Sequence, residues 1–327
     1  MSWFGRVGTP PMTTTNSTLD TNARIFVAGH TGMVGSALVR RLQAGGYTNL
    51  ITARRRELDL MNQADVLRFF DTEKPDMVFL AAAMTGGIHA NNTYRADFLY
   101  NNLMIEANVI HSAFKAGVNR LLFLGSSCIY PRDSSQPMSE SELLMGPLEA
   151  TNEPYAIAKI AGVKLCENYN RQYGTRFVSV MPTNLYGSND NYDLENGHVL
   201  PALLRKAHTA KVERQAEVSV WGSGRPRREF MYVDDLADAC VFLMERDIGD
   251  GLFNVGTGED LTIRELAELV MDVVGYDGRI VFDTSRPDGT PRKLLDVSKM
   301  KQLGWSAKTS LRDGIAVAYA DFRERMI

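Results

Sequence analysis

RIFVAGHTGMVGSALVRRL, residues 24–42, is the stretch that decides the fold. It opens with a short apolar run containing β-branched and aromatic side chains, as suits a strand. Gly29, Gly32 and Gly35 follow, and a helix-compatible segment then runs through Leu42. Glycines so placed let the chain turn tightly, let a pyrophosphate approach the backbone and let the helix pack on the strand, while the helix N-terminus offers free amides. The spacing is GxxGxxG, not GxGxxG, and by itself it also fits a plain strand-to-helix turn. In a first βα unit it predicts a dinucleotide site built on Gly29, Thr31, Gly32, Met33, Val34 and Gly35.

Apolar runs recur at 50–53, 77–82, 120–124 and 176–181, with helix-length segments between them. Such runs suit strands buried on both faces of a parallel sheet with right-handed crossovers. The predicted fold class is α/β, a doubly wound, Rossmann-like parallel sheet. After Tyr186 the rhythm breaks into a Gly/Asn/Asp-rich loop at 187–197, short mixed segments, and helices at 234–244 and 262–274. The latter helix opens on a capping box, Thr262 with Glu265. We expect a loose tail at 1–22, a nucleotide-binding domain at 23–186, and a smaller α/β substrate lobe at 187–327 from which segments can return to the sheet.

At 44% hydrophobic and 23% charged residues, the chain has the composition of an ordinary soluble protein. A net charge of -3 gives no general attraction to nucleic acid or anionic lipid. No apolar run approaches the ~20 residues of a membrane span, and the tail lacks the marks of a secretory signal. Cys128, Cys166 and Cys240 are odd in number and lack CxxC spacing. No disulfide framework and no metal site are expected, and a reducing cytoplasm fits best.

About 20 residues beyond the glycines, an acidic residue would accept a ribose hydroxyl in an NAD enzyme, whereas arginine accommodates a 2′-phosphate. Arg54, Arg55 and Arg56 stand there. Charge complementarity favours NADP, although a solvated basic turn has the same sequence. Asp59, just beyond, suits either an adenine contact or a cap for the next helix.

Tyr155 and Lys159 are spaced i and i+4 on a helix entered through Asn152-Glu153-Pro154. A tyrosine titrating near ~10 serves as an acid-base group at neutral pH when a cation favours its phenolate, and Lys159 can supply one. The pair alone is equally an amphipathic helix with Tyr inward and Lys outward. Ser126, at the C-terminal end of the fourth strand, changes the balance, because open α/β sheets bind ligands there. A serine, a tyrosine and a lysine on these elements make a proton-transfer set for a carbonyl oxygen.

This set resembles the extended short-chain dehydrogenase/reductase family over most of the chain from Arg24 onward. The motifs AAA (81–83), GGI (86–88), NNTY (91–94), GSSCIYP (125–131), NEPYAIAK (152–159), MPTNLYG (181–187), HV (198–199) and the stretch 287–297 resemble one branch in particular. That branch comprises the 3,5-epimerase/4-reductases of GDP-4-keto-6-deoxy-D-mannose. The resemblance implies epimerisation at carbons 3 and 5 of a GDP-sugar, then reduction of its carbon 4 ketone by NADPH. It makes Ser126, Tyr155, Lys159, Cys128 and His198 catalytic, with Cys128 taking a proton and His198 returning one. It adds Leu124, Gly125, Pro182, Asn184, Leu185, His198 and Lys159 to the cofactor site, and it implies a homodimer. On the substrate side it implies Asn184, Asn196, Lys206, Trp221, Arg228, Arg292 and Lys293; composition alone does not separate Arg227 from Arg228. Thr31 stands where some relatives carry arginine, so NADP preference would rest on Arg55 and its neighbours. A dehydratase would show an acidic pair after the fourth-strand serine, where this chain has Cys128-Ile129. A non-catalytic NADP sensor could have dispensed with Tyr155 or Lys159.

Overall fold

A computed structural model describes residues 20–326 apart from Asn196, Asp247 and Pro287. The tail expected at 1–22 lies, up to residue 19, outside the described residues. The main sheet contains β1 (Ile25–Ala28), β2 (Leu50–Ile51), β3 (Met77–Leu80), β4 (Arg120–Leu124), β5 (Arg176–Pro182) and a late strand, Gly251–Val255. Their spatial order is Gly251–Val255, β5, β4, β3, β1, β2, and every neighbouring pair is parallel. The strand expected at 50–53 shrinks to two residues at the sheet edge.

Every residue of β1 and β3 is buried, which is why their sequences are apolar without alternation. The period of two sends Ile25, Val27, Phe79 and Leu122 to one face and Phe26, Val78, Leu121 and Phe123 to the other. Over the first face lie α1 (Met33–Ala44) and, further along the chain, the helix Val233–Glu245; they pack together. Arg41 pairs with Asp238 at 2.7 Å and Tyr47 donates to Glu245 at 3.0 Å across that contact. Over the second face lie α2 (Gln63–Glu73), α4 (Arg95–Lys115), reached through the short α3 (Ile88–Thr93), and α5 (Glu153–Tyr173). Each large side chain so buried contributes about 1.5–3 kcal/mol.

The α2 helix is capped by Asn62, whose Oδ1 accepts from Ala64 N and Asp65 N. Asp59 accepts from Met61 N instead, so of the two roles weighed for it the cap belongs to Asn62. A separate core gathers Leu200, Leu203, Leu266, Val270, Ile315 and Phe322 from α6 (Val199–Val212), from Ile263–Val274 and from Leu311–Met326. The capping box forms as expected: Glu265 N donates to Thr262 Oγ1 at 3.1 Å and Thr262 N to Glu265 Oε2 at 2.7 Å. Among the described residues no helix is long and apolar enough to cross a membrane, and no group of His, Cys, Asp and Glu could hold a metal ion.

Candidate active site

The chain leaves β1 and returns to β3 on opposite sides of β1, so strand order reverses between β1 and β3, and a crevice opens at their carboxyl ends. The glycine turn sits there. Gly29 has φ +86°, and a Cβ on it would stand 2.7 Å from Ala82 N. A Cβ on Gly35 would run into the carbonyl of Gly29. Both positions therefore exclude side chains, and α1 comes close behind the loop. No side chain caps Gly32, so the first amides of α1 remain available for an anion, as a pyrophosphate requires. These residues fit a dinucleotide.

A cleft of about 500 Å³ extends from this turn toward the second core. Gly32, Met33, Val34 and Gly35 line one end; Leu124, Gly125, Ser126, Cys128, Tyr155, Lys159, Pro182, Asn184, Leu185 and His198 line the middle. Lys206, Trp221, Arg228 and Lys293 line the far end. Gly29, Thr31, Arg55 and Arg292 do not line it, and Asn196 lies outside the described residues. Gly29 and Thr31 belong to the turn itself. Arg54, Arg55 and Arg56 are exposed beyond β2, where Glu57 accepts from Arg54 N at 2.9 Å and faces Arg56 at 3.6 Å.

Ser126 follows β4 and accepts from Cys128 N through its hydroxyl at 3.3 Å, capping the short turn Ser127–Ile129. That turn aims the thiol of Cys128 at the start of α5, where Asn152 Nδ2 donates to Sγ at 3.3 Å; Lys293 Nζ stands 3.7 Å from the same sulfur. Lys159 is 2% exposed, which removes the reading in which it points to solvent. Its Nζ donates to the carbonyl of Leu124 at 3.0 Å, pairs with Glu106 of α4 at 2.8 Å, and lies 5.8 Å from the centre of the Tyr155 ring.

This geometry corrects one expectation. Lys159 was expected to draw the Tyr155 phenol below its ordinary range, yet the phenol is pushed up. Withdrawal from water is the main cause, followed by the neighbouring Cys128 and Glu106 charges, with a hydrogen bond to Ser126 acting the other way. The physical reason is burial of the phenol, and Lys159 is engaged by Glu106 across the helix pair.

His198 precedes α6 and keeps its ring open to the cleft. The walls of that concave site still hold back enough water to place its pKa below the ordinary imidazole range. Asn184 donates to the carbonyl of Glu229 at 2.7 Å. Trp221, 40% exposed, is a platform between two cations, with Lys206 Nζ 5.1 Å and the Arg286 guanidinium 4.6 Å from its ring. Arg228 faces the cleft, while its neighbour Arg227 is held by Asp260 at 2.9 Å. Arg292 is held by the same carboxylate at 2.5 Å and so stands behind the lining.

A model of the NAD dependent epimerase/dehydratase family matches residues 25–256. The chain belongs to that family. Over 310 residues, 92% of this chain and 97% of the other, it is 57% identical to the GDP-L-fucose synthase of Escherichia coli strain K12. It is 60% identical to GDP-L-fucose synthase 1 of Arabidopsis thaliana over 304 residues, 93% of this chain and 94% of that one. A GDP-L-fucose synthetase from Naegleria fowleri bound to NADP has the same fold, with a TM-score of 0.87, 27% identity, and coverage of 94% of this chain and 96% of that one. The family resemblance read from the motifs is borne out.

Within this epimerase/dehydratase frame, sequence reasoning missed several residues of the site. Glu106 lies mid-helix among apolar neighbours, with nothing local to show that its carboxylate meets Lys159. Asn152 was read only as a helix entry, and Arg286 gave no signal beyond its charge. Glu229 is fully buried and accepts from Gly258 N at 2.8 Å and Leu295 N at 3.0 Å. It thereby fixes the strand pair that carries Arg228 and Lys293. Asn189 donates to the carbonyl of Thr31 at 2.8 Å and so ties the 187–197 loop to the glycine turn.

Proposed function

We propose that this protein converts GDP-4-keto-6-deoxy-D-mannose into GDP-L-fucose by epimerising carbons 3 and 5 and then reducing the ketone at carbon 4. The carrying observation is that Cys128 and His198 line the same cleft as Ser126, Tyr155 and Lys159. A reductase alone needs only the last three. The relatives named GDP-L-fucose synthase support the substrate and product, and the NADP-bound relative supports the cofactor.

When bound, NADPH supplies the hydride that reduces carbon 4. The amides of Gly32, Met33, Val34 and Gly35 would hold its pyrophosphate, Arg55 its 2′-phosphate, and Lys159 the nicotinamide ribose. Leu124, Gly125, Pro182, Asn184, Leu185 and His198 would complete that end of the cleft. Trp221, Lys206, Arg228, Lys293 and Asn184 suit a GDP-sugar, because stacked aromatics and cations match a base and a diphosphate. Asn196 and Arg292 are part of this set in the proposal.

A proton beside a ketone is acidic because its loss gives an enolate, and inversion needs a base on one face and an acid on the other. Cys128 takes the proton, and His198 returns one from the opposite face, first at one carbon and then at the other. The hydroxyls of Ser126 and Tyr155 meet the negative charge that develops on the carbon 4 oxygen. In the reduction the same oxygen receives the Tyr155 proton. One donor pair therefore serves both stages.

We assign residues 23–186 to the nucleotide-binding domain and 187–327 mainly to the substrate lobe. Tyr100 of α4 and Ile157 of α5 are exposed on neighbouring packed helices, which suits pairing with a second copy into a homodimer. Three free cysteines suit the reducing cytoplasm. The test of the whole reading is NADPH oxidation by the purified protein on addition of GDP-4-keto-6-deoxy-D-mannose, with GDP-L-fucose as product. Folded protein that binds NADPH yet leaves its absorbance unchanged at saturating sugar would refute it.

A further inference from the structure

Asn152 opens α5, in the place where an asparagine ordinarily caps a helix by accepting from the second or third helical amide. Here its side chain makes no cap hydrogen bond. The second helical residue is Pro154, which has no N–H to give. Asn152 Nδ2 donates instead to Cys128 Sγ at 3.3 Å, across 24 residues of chain. Its Oδ1 is buried and has no donor among the described residues. The backbone fixes the residue from both sides: Asn152 N donates to the carbonyl of Glu149 at 3.1 Å, and Ala156 N donates to the carbonyl of Asn152 at 3.0 Å. A forgone cap and a bare buried acceptor both cost stability. What results is an amide fixed against the sulfur, with both residues lining the cleft.

We propose that Asn152 is a positioning residue for the epimerisation stage, holding the Cys128 sulfur with its amide while that sulfur exchanges protons with the sugar. This rests on the function proposed above. When the sulfur takes a proton, the C–H bond breaks, an S–H bond forms, and the freed electron pair moves to the carbon 4 oxygen. His198 then gives a proton to the opposite face of the carbon. The S–H proton passes to solvent, and His198 regains one, before the second carbon reacts.

The sulfur is therefore bare at the start of each cycle and protonated at its end. An amide suits both states: Nδ2 donates to the bare sulfur, and Oδ1, turned toward it, accepts from S–H. A carboxylate of the same shape can only accept, and it repels a charged sulfur. Lys293 Nζ stands 3.7 Å from the same atom, and Arg228 and Tyr155 are the other ionisable groups that feel its charge. Lys293 supplies charge from a flexible stem, whereas the amide supplies direction.

The first test needs neither sugar nor cofactor. Cys166 and Cys240 are 1% and 0% exposed, so iodoacetamide labels Cys128 selectively, as followed by mass spectrometry. Only the thiolate reacts, and the rate is read at about pH 6. Asn152→Ala removes the donor and is expected to slow labelling about threefold or more, the loss of thiolate being partly offset by its greater reactivity. Asn152→Asp, which keeps the shape of the side chain, should slow it further. A residue that merely filled space would give the opposite sign, since trimming it opens the sulfur to the reagent. Labelling of Asn152→Ala as fast as wild type or faster overturns the proposal, and so does wild-type labelling of Asn152→Asp.

The second test separates the two stages. Incorporation of solvent deuterium at carbons 3 and 5 should fall about tenfold or more in both variants. Reduction of NADP by GDP-L-fucose in a single turnover breaks only the carbon 4 C–H bond, and its loss should be at least about threefold smaller. Equal losses in the two measurements overturn the positioning role. Absence of both activities in wild type would refute the proposed reaction, while the labelling rates still decide whether the amide holds the sulfur.

Discussion

The sulfur of Cys128 lies 3.7 Å from Lys293 Nζ, a contact made across 165 residues of chain. In the proposed epimerisation, charge that develops on the sulfur would be met by that ammonium, and Asn152 Nδ2 donates to the same sulfur at 3.3 Å. Lys293→Met should therefore slow epimerisation by about tenfold or more, the equivalent of about 1.4 kcal/mol of lost charge stabilisation. Incorporation of solvent deuterium at carbons 3 and 5 reads this step apart from hydride transfer. Equal losses of deuterium incorporation and of sugar affinity would instead leave Lys293 as a binding residue.

Cys128→Ala removes the proposed base while leaving the glycine turn untouched. Deuterium incorporation should fall by at least about a hundredfold, the scale of a lost general base. NADPH affinity, measured by fluorescence titration, should stay within twofold or so of wild type, since no charged cofactor contact is removed. Unchanged deuterium incorporation would take Cys128 out of the reaction.

Arg55 has no side-chain partner among the described residues, whereas Glu57 engages both of its neighbours, the N–H of Arg54 and the side chain of Arg56. Replacement by alanine is expected to weaken NADPH binding about tenfold or more, as for loss of one charge-assisted hydrogen bond. NADH binding should barely change. Parallel weakening of both would show that Arg55 does not read the 2′-phosphate.

Trp221 presents its ring between Lys206 and Arg286. Losing that platform in Trp221→Ala should raise the Kd for GDP roughly tenfold while leaving NADPH binding alone, given stacking and cation–π contributions of about 1–2 kcal/mol. Isothermal titration with each nucleotide distinguishes the two.

Asp190 is buried at 7% exposure, and burial is the main cause that pushes its carboxyl up to about 7; Asp321 adds to the effect, while Arg325 and the Asn191 N–H oppose it. The unfolded chain ionises the same group near ~3.9. Between these values the folded protein binds the extra proton, so this group's contribution to stability declines as pH rises and levels off above about 7. Asp190→Asn should raise the unfolding free energy by about 2–4 kcal/mol at pH 8 and by little near pH 4. Urea unfolding at the two pH values checks the sign; a gain that is the same at both would refute it.

Legibility in the sequence followed the range of the forces involved. The glycine turn, the buried β1 and β3, the Thr262 capping box and the Tyr155–Lys159 spacing are set by neighbours a few residues apart, through backbone sterics, side-chain period and helix pitch. Those features could be read in order along the chain, and with the family motifs they brought Cys128 and His198 into view. What the sequence determined by itself was thus a doubly wound sheet, a dinucleotide turn and a list of reactive side chains. Tertiary structure alone decided how those side chains are charged and held. Glu106 reaches Lys159 from another helix, Lys293 reaches Cys128 from the far end of the chain, and Asp260 takes Arg227 and Arg292 away from the cleft. Coulomb energy depends on distance and exposure to water, neither of which is written in residue order, so the expected depression of Tyr155 became an elevation once its surroundings were in place.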